Sequence, residues 1–404
     1  MIMNKYLRIR KDSVPLYCCG MLILTSFFGE QYKIAGIPIY CFFILFTILF
    51  TIMGYGKKRS TIDTARIDDL TVFGVGWIAI ATLLFLTYGR SMTTPYLYCI
   101  STVLIIININ NNSSSLHHIE ILYRFAYLGL IITCIVCSVE FLTGTHFIKI
   151  YNDYYVRMGR GNSFGFQVNI NDNASCLTAC MFVPLFNFNR KRRLNTIILI
   201  WIVALLIMIG SRLALIAMIS IFCMYILVSL TNKLDDIAGH QLGVIVFLIG
   251  LLAIIVFAGT ITTQRFLSII SDEANLNYDL ARLMFMKKAL QKTDALGLLI
   301  GNGAGVTQQR IGYSIHCVFV EILCDYGVFV FSWLFYFLIK MAFSFTDSIC
   351  IATKRYTSSF AICFILLGFC SSSMLRIRTI WAVFSLVWCN YRMKSIEVSR
   401  LNET

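Results

Sequence analysis

Apolar runs of about bilayer length follow one another along almost the whole chain, and this feature restricts its fold more than any other. They lie at about 14–29, 34–54, 70–88, 93–108, 121–142, 174–188, 194–210, 212–230, 241–259, 315–339, 358–374 and 379–391. A helix needs roughly 20 apolar residues to cross the hydrocarbon of a membrane. In lipid every backbone N–H and C=O must be satisfied within the protein, which long single runs achieve as helices. The pattern predicts an all-α, polytopic transmembrane helical bundle of about 12 helices. Composition agrees, since 58% of residues are hydrophobic and only 13% charged, too apolar for one soluble core. With only four prolines and scattered glycines, no linker divides the chain, and residues 1–404 are read as a single integral membrane domain.

The net charge of +14 would suit nucleic acid if it formed a basic groove. Instead the cations sit in short clusters between the apolar runs: Lys5 to Lys11, Lys57 to Arg66, Arg190 to Arg193, Lys354 with Arg355, and Arg392 to Arg400. That is the signature of membrane topology, and no nucleic-acid partner is expected. With an even helix count every cluster falls on one side, which the positive-inside rule makes cytoplasmic, together with both termini. The basic N-terminus precedes its apolar run without a small-residue cleavage site, so a retained first helix is expected. Fifteen cysteines lie almost wholly within the apolar runs. The pairs Cys134/Cys137 and Cys176/Cys180 have no neighbouring His, so they read as small apolar filler, and no metal or cofactor is expected.

Two long loops then fall on the opposite, external side, at about 143–173 and 260–314. The second carries Arg265, Arg282, Lys287, Lys288, Lys292 and Arg310, against the usual poverty of basic residues outside. Long loops translocate whatever their charge, so the topology stands. Between Tyr278 and Lys292, the spacing of Leu280, Met284, Met286 and Leu290 predicts an amphipathic helix along the membrane surface. Such a helix can rest on anionic headgroups or help bind an anionic substrate, and the spacing leaves both open.

Several residues at the external boundary could carry chemistry. Arg157 and Arg160 lie in Arg157-Met-Gly-Arg-Gly-Asn-Ser-Phe-Gly165, and Arg212 lies in a very short turn after Gly210. Boundary arginines often snorkel to headgroups, but a tight two-helix hairpin has little need of a guanidinium. The rigid fork of arginine suits phosphate. Gly301-Asn-Gly-Ala-Gly305 lacks the Lys-Ser/Thr of a phosphate loop and reads as a turn. His316 precedes an apolar run that also holds Glu321 and Asp325, four residues apart on one helix face. A histidine near neutral pKa can take the proton of a hydroxyl nucleophile, although a structural histidine at a helix start would look the same. His117, His118 and His240 fall on the cytoplasmic side, while His146 is external.

Taken in order, four stretches resemble the O-antigen polymerase and O-antigen ligase superfamily of bacterial envelope glycosyltransferases. They are Arg160-Gly-Asn-Ser-Phe-Gly with Asn169-Ile-Asn171, then Gly210-Ser-Arg212-Leu-Ala-Leu, then Asp279-Leu-Ala-Arg282 with Leu298 to Gly305, and finally His316 to Gly327. The resemblance covers roughly residues 150–340, and Cys317 stands where that family usually has Asn. It implies an enzyme of the bacterial inner membrane, active on its periplasmic face without metal or nucleotide. It implies a substrate glycan on undecaprenyl pyrophosphate, presented within membrane lipid, and a possible chain-length regulator as protein partner. Under that resemblance His316 is the candidate base and Glu321 its orienting group or substitute. Arg212, Arg265 and Arg282 would neutralise the pyrophosphate leaving group, with Arg157 and Arg160 on the glycan or second phosphate. Low Pro with high Ile, Phe, Asn and Cys resembles the polymerases more than the ligases. A transporter or flippase is the alternative of another class; it would place ionisable groups at mid-membrane beside broken helices. Here the predicted helix interiors hold little charge besides Arg124 and Glu140.

Overall fold

The computed structural model describes residues 14–30, 32–55, 69–88, 93–146, 165–167, 169–186, 188–231, 273–347, 349–369 and 374–403. Helices α1 (Val14–Ser26) and α2 (Ile39–Tyr55) are joined by a two-stranded antiparallel hairpin, β1 (Lys33–Ile34) with β2 (Ile37–Pro38). There follow α3 (Asp69–Tyr88), α4 (Thr93–Asn111), α5 (Leu116–Thr143), α6 (Ile170–Cys180) and α7 (Phe182–Phe186). The next are α8 (Arg192–Ile209), α9 (Arg212–Thr231), α10 (Glu273–Lys292), α11 (Ala295–Ile300) and α12 (Val306–Ile311). Helices α13 (Val318–Ala342), α14 (Ile351–Leu367) and α15 (Arg378–Glu403) complete the described chain.

The protein is thus a mostly helical, all-α bundle, and a helix lies over every predicted apolar run except that at 241–259, which falls outside the described residues. Among the described residues α3, α4, α5, α8 and α13 are long and apolar enough to cross a membrane, and Val14–Ser26, Ile39–Met53 and Ala214–Ile226 are shorter apolar helical stretches. One continuous apolar core runs from Leu16 to Tyr391. Its centre is α15, where Trp381, Phe384 and Trp388 are buried against Trp77, Phe337 and Phe364. With lipid outside, the interior gains little from hydrophobic transfer, and such close ring packing carries the association of helices.

Two sequence expectations need correction. The run at 174–188 is not one span: α6 stops at Cys180, Met181 turns, and α7 restarts for a few buried residues around Pro184. Proline lacks the N–H a continuing helix would use, and the break follows. Arg355, expected in a cytoplasmic loop, is buried in α14, its guanidinium 5.9 Å from the Tyr225 ring of α9. The helix expected over 278–292 is present as α10. Leu283, Met284 and Leu290 are exposed, whereas Phe285, Met286, Ala289 and Thr293 turn inward, Phe285 stacking on Tyr313 at 4.6 Å. Arg124 does lie within α5, yet it is exposed beside Glu120, 3.7 Å away, one helical turn earlier.

Candidate functional site

Helix α13 begins just after His316, whose backbone stands at φ 53°. A left-handed backbone costs an L residue roughly 1–2 kcal/mol, although histidine tolerates it better than most. The turn delivers Cys317 to the N-cap of α13, and the Val318 N–H then donates to the Gly368 carbonyl, 2.9 Å away, at the end of α14. His316 is half-buried there. Glu321, in the first turn of α13 and also half-buried, lies within electrostatic reach of Cys99 on α4 and of Tyr326.

The second acid has a different task. The Asp325 carboxylate is buried and accepts from the N–H groups of Gly305 (2.8 Å) and Thr307 (3.2 Å), so it caps α12 from another segment. Beside it, Asn302 and Gly303 donate their N–H groups to the carbonyls of Cys324 and Asp325, each at 2.9 Å. Asn302 also accepts from Arg310 at 2.9 Å. These donors of the glycine run are engaged within the protein and are not a phosphate cradle. The turn reading of the sequence therefore suits this loop.

Arg212 is the first residue of α9, after Gly210 ends α8 in a left-handed backbone. Helices α9 and α14 pack along their length, with Tyr225 meeting Arg355. Taken as antiparallel, the two helices put Arg212 and Leu367 about equally far from that contact, on the order of 20 Å at ~1.5 Å per residue. Arg212 is thereby placed level with Gly368, hence at the end of the bundle where α13 starts. Arg282 lies on α10. Arg157, Arg160 and Arg265 fall outside the described residues.

The same end gathers groups that sequence reasoning underrated or missed. Glu140, near the end of α5, is wholly buried and accepts from the Gly165 N–H at 2.7 Å, with His146 Nδ1 at 3.9 Å. Burial and then the charge of Glu140 push the Tyr32 hydroxyl pKa up. Phe166 joins the two by packing against Phe28 and Tyr32, with ring centres 5.1 and 5.4 Å apart. Asn169 caps α6 by accepting from the Asn171 N–H at 2.9 Å, as the resemblance implies for an asparagine at a helix start. Glu140→Leu strands the Gly165 N–H and is expected to lower stability by about 1–3 kcal/mol. Glu140→Gln keeps an acceptor there and should lose less than half as much, as thermal melting of the purified protein will show.

Glu30, after α1, pairs with Arg378 at the start of α15. Neither was singled out in the sequence. The signal available was the one used for Arg212, a guanidinium where an apolar run begins. On the flank of the bundle, an apolar groove of about 480 Å³ opens between α3 and α13, lined by Phe73, Gly76, Trp77, Ile80, Phe329 and Trp333.

These features define a class: an α-helical bundle compatible with a multi-pass membrane protein. No protein-family model matches the chain, and no curated protein or solved structure is significantly similar to it.

Proposed function

We propose that the chain is an O-antigen polymerase, a membrane glycosyltransferase joining oligosaccharide repeat units carried on undecaprenyl pyrophosphate. The reading is supported by Arg212 opening α9, the helix packed on α14, whose terminal Gly368 accepts from Val318 beside the turn that holds His316. In this reading His316 takes the proton of an acceptor sugar hydroxyl. The freed oxygen attacks the anomeric carbon of the donor, the bond from that carbon to the pyrophosphate oxygen breaks, and undecaprenyl pyrophosphate leaves with the electron pair. Pyrophosphate is a good leaving group, so the demand on the protein is fixed positive charge in a water-poor site. Arg212 and Arg282 meet it, with Arg265, Arg157 and Arg160 as further candidates. The groove between α3 and α13 suits an isoprenoid tail by its apolar lining. The site faces the periplasm in this proposal, with both termini cytoplasmic in the bacterial inner membrane. A ligase that moves finished polymer to the lipid A core would use the same residues.

The breaks at Met181 and within α13 favour a second reading, transport, because broken helices commonly bind transported ions. At the α13 break, however, the carbonyls of Cys324 and Asp325 already accept from Asn302 and Gly303. They are engaged and do not offer an ion site.

The test is the lipopolysaccharide gel of a deletion strain complemented with wild type, Arg212→Ala or Arg282→Ala at equal protein abundance. Wild type should restore the ladder and each variant leave core plus one repeat unit. Polymer accumulating on undecaprenyl pyrophosphate in the deletion strain would instead identify a ligase. Full ladders from both variants would remove the arginines from the mechanism.

A further inference from the structure

Arg378 is 1% exposed, and its donors are unevenly employed. Its Nη1 donates to the Glu30 carboxylate and to the Arg376 carbonyl. Its faces are covered by aromatic rings, with the guanidinium carbon 5.0 Å from the Tyr40 ring centre and 4.7 Å from that of Tyr98. Nε and Nη2, both buried, have no acceptor among the described residues. These two atoms form one edge of the guanidinium, and their N–H bonds point the same way. That edge is the one that grips two oxygens of a single anion. A buried charged donor left without an acceptor is costly, and folded proteins rarely tolerate one without a reason.

Three further facts point to an anion as the missing partner. Arg376, exposed, has its guanidinium carbon 5.4 Å from the centre of the same Tyr98 ring, so among the described residues two cations stand here beside the carboxylate of Glu30. Arg378 is also the first residue of α15, a long helix whose opening N–H groups favour negative charge. Glu30 holds Nη1, on the far side of the guanidinium from the bare edge, and so leaves that edge open to an anion.

We propose that the Nε/Nη2 edge of Arg378, with Arg376 and the start of α15, binds a phosphate group carried on a lipid. The source of that phosphate is either a lipid-linked diphosphate or the headgroup of an anionic phospholipid. The site does not depend on the polymerase reading, because a lipid phosphate would be bound equally by a transporter.

The experiment uses the purified full-length chain in phosphatidylcholine nanodiscs, titrated with farnesyl diphosphate or with inorganic pyrophosphate. A parallel set of discs contains phosphatidylglycerol. Binding is read from the fluorescence of the tryptophans, among which Trp381 lies one turn along from Arg378 on α15. Arg378→Lys keeps the charge but lacks the two-donor edge and should weaken binding about tenfold or more. Glu30→Gln combined with Arg378→Gln removes the ion pair as a unit, leaves no charge stranded, and should lose the same binding. Arg124→Gln, an exposed cation on α5, should bind as wild type. Diphosphate binding lost in both Arg378 variants supports the site with a lipid-linked diphosphate as ligand. A response to phosphatidylglycerol alone, lost in the same variants, supports it with a headgroup as ligand. Equal binding by wild type and the double variant, or no binding of any probe by wild type, overturns the proposal and leaves water as the occupant of the edge. Because no polymer is measured, failure here and failure of the proposed activity are separate results.

Discussion

Under the proposed polymerase activity, His316→Gly is expected to abolish the O-antigen ladder while leaving the protein as stable as wild type. Two opposed effects set the stability. Glycine adopts φ 53° without the penalty an L side chain meets, a gain of roughly 1 kcal/mol. Against this stands the loss of a half-buried imidazole and its contacts, of similar size. The chemical effect has no such offset. Removing a positioned general base typically costs 10²–10⁴-fold in rate, about 3–5 kcal/mol of barrier. His316→Ala should be equally inactive and slightly less stable, since alanine keeps the strained backbone and loses the ring. The pair therefore separates the two roles a histidine at a helix start can have. If the residue served only to turn the chain into α13, glycine would serve better and the ladder would return in full. The readings are the lipopolysaccharide gel and the melting temperature of purified protein. A full ladder from His316→Gly sinks the catalytic assignment.

What the sequence disclosed was whatever depends on hydrophobicity summed over a span. Helices fall over the apolar runs because a long apolar segment in lipid has few ways to satisfy its backbone. Interruptions inside a run stayed hidden, because a break changes hydrogen bonding and not composition. Pro184 was visible in the run at 174–188, but the turn at Met181 was not inferred from it. The protein-facing side of α10 stayed hidden for a related reason. Spacing identifies an apolar stripe, yet Leu283, Met284 and Leu290 are exposed while Phe285 and Ala289 pack inward. In a membrane protein an apolar stripe can face lipid, so the stripe alone does not reveal the protein-facing side. The site shows the same limit. His316 and Arg212 stood out because polar residues are scarce in their surroundings. Glu30 and Arg378 are 348 positions apart, and nothing in either segment announces the other. Asp325 was read as sharing a helix face with Glu321, but its carboxylate faces Gly305 and Thr307, a pairing set by long-range packing.

Gly327→Ala should be strongly destabilising for a single added methyl, and the reason lies in two backbones in direct contact. Gly327 interrupts α13 at φ 82°, ψ 176°, a conformation available essentially only to glycine. An added Cβ would stand 2.6 Å from both the carbonyl carbon of Ile300 and the carbonyl oxygen of Leu299. Neither is a flexible side chain that can swing away. The approach is reciprocal, since a Cβ on Gly301 would stand 2.5 Å from the Asp325 carbonyl oxygen. Backbone strain alone costs about 1–3 kcal/mol, and the overlap adds a further term of similar or greater size. Relieving the clash means moving α11 off α13. That separation breaks the bonds from Asn302 and Gly303 to the Cys324 and Asp325 carbonyls. Buried carbonyls without donors cost about 1–3 kcal/mol each, and water is scarce at membrane depth. The expected total exceeds ~4 kcal/mol, enough to deplete a marginally stable membrane protein. Gly312→Ala is the control for a milder left-handed backbone, φ 75° and ψ 5°, where a Cβ meets nothing within 4 Å. It should cost about 1 kcal/mol. Size-exclusion profiles in detergent and melting temperatures of the two variants decide the matter. If Gly327→Ala melts no lower than Gly312→Ala, the backbone contact between α11 and α13 is not what holds the head of α13, and with it His316, in place.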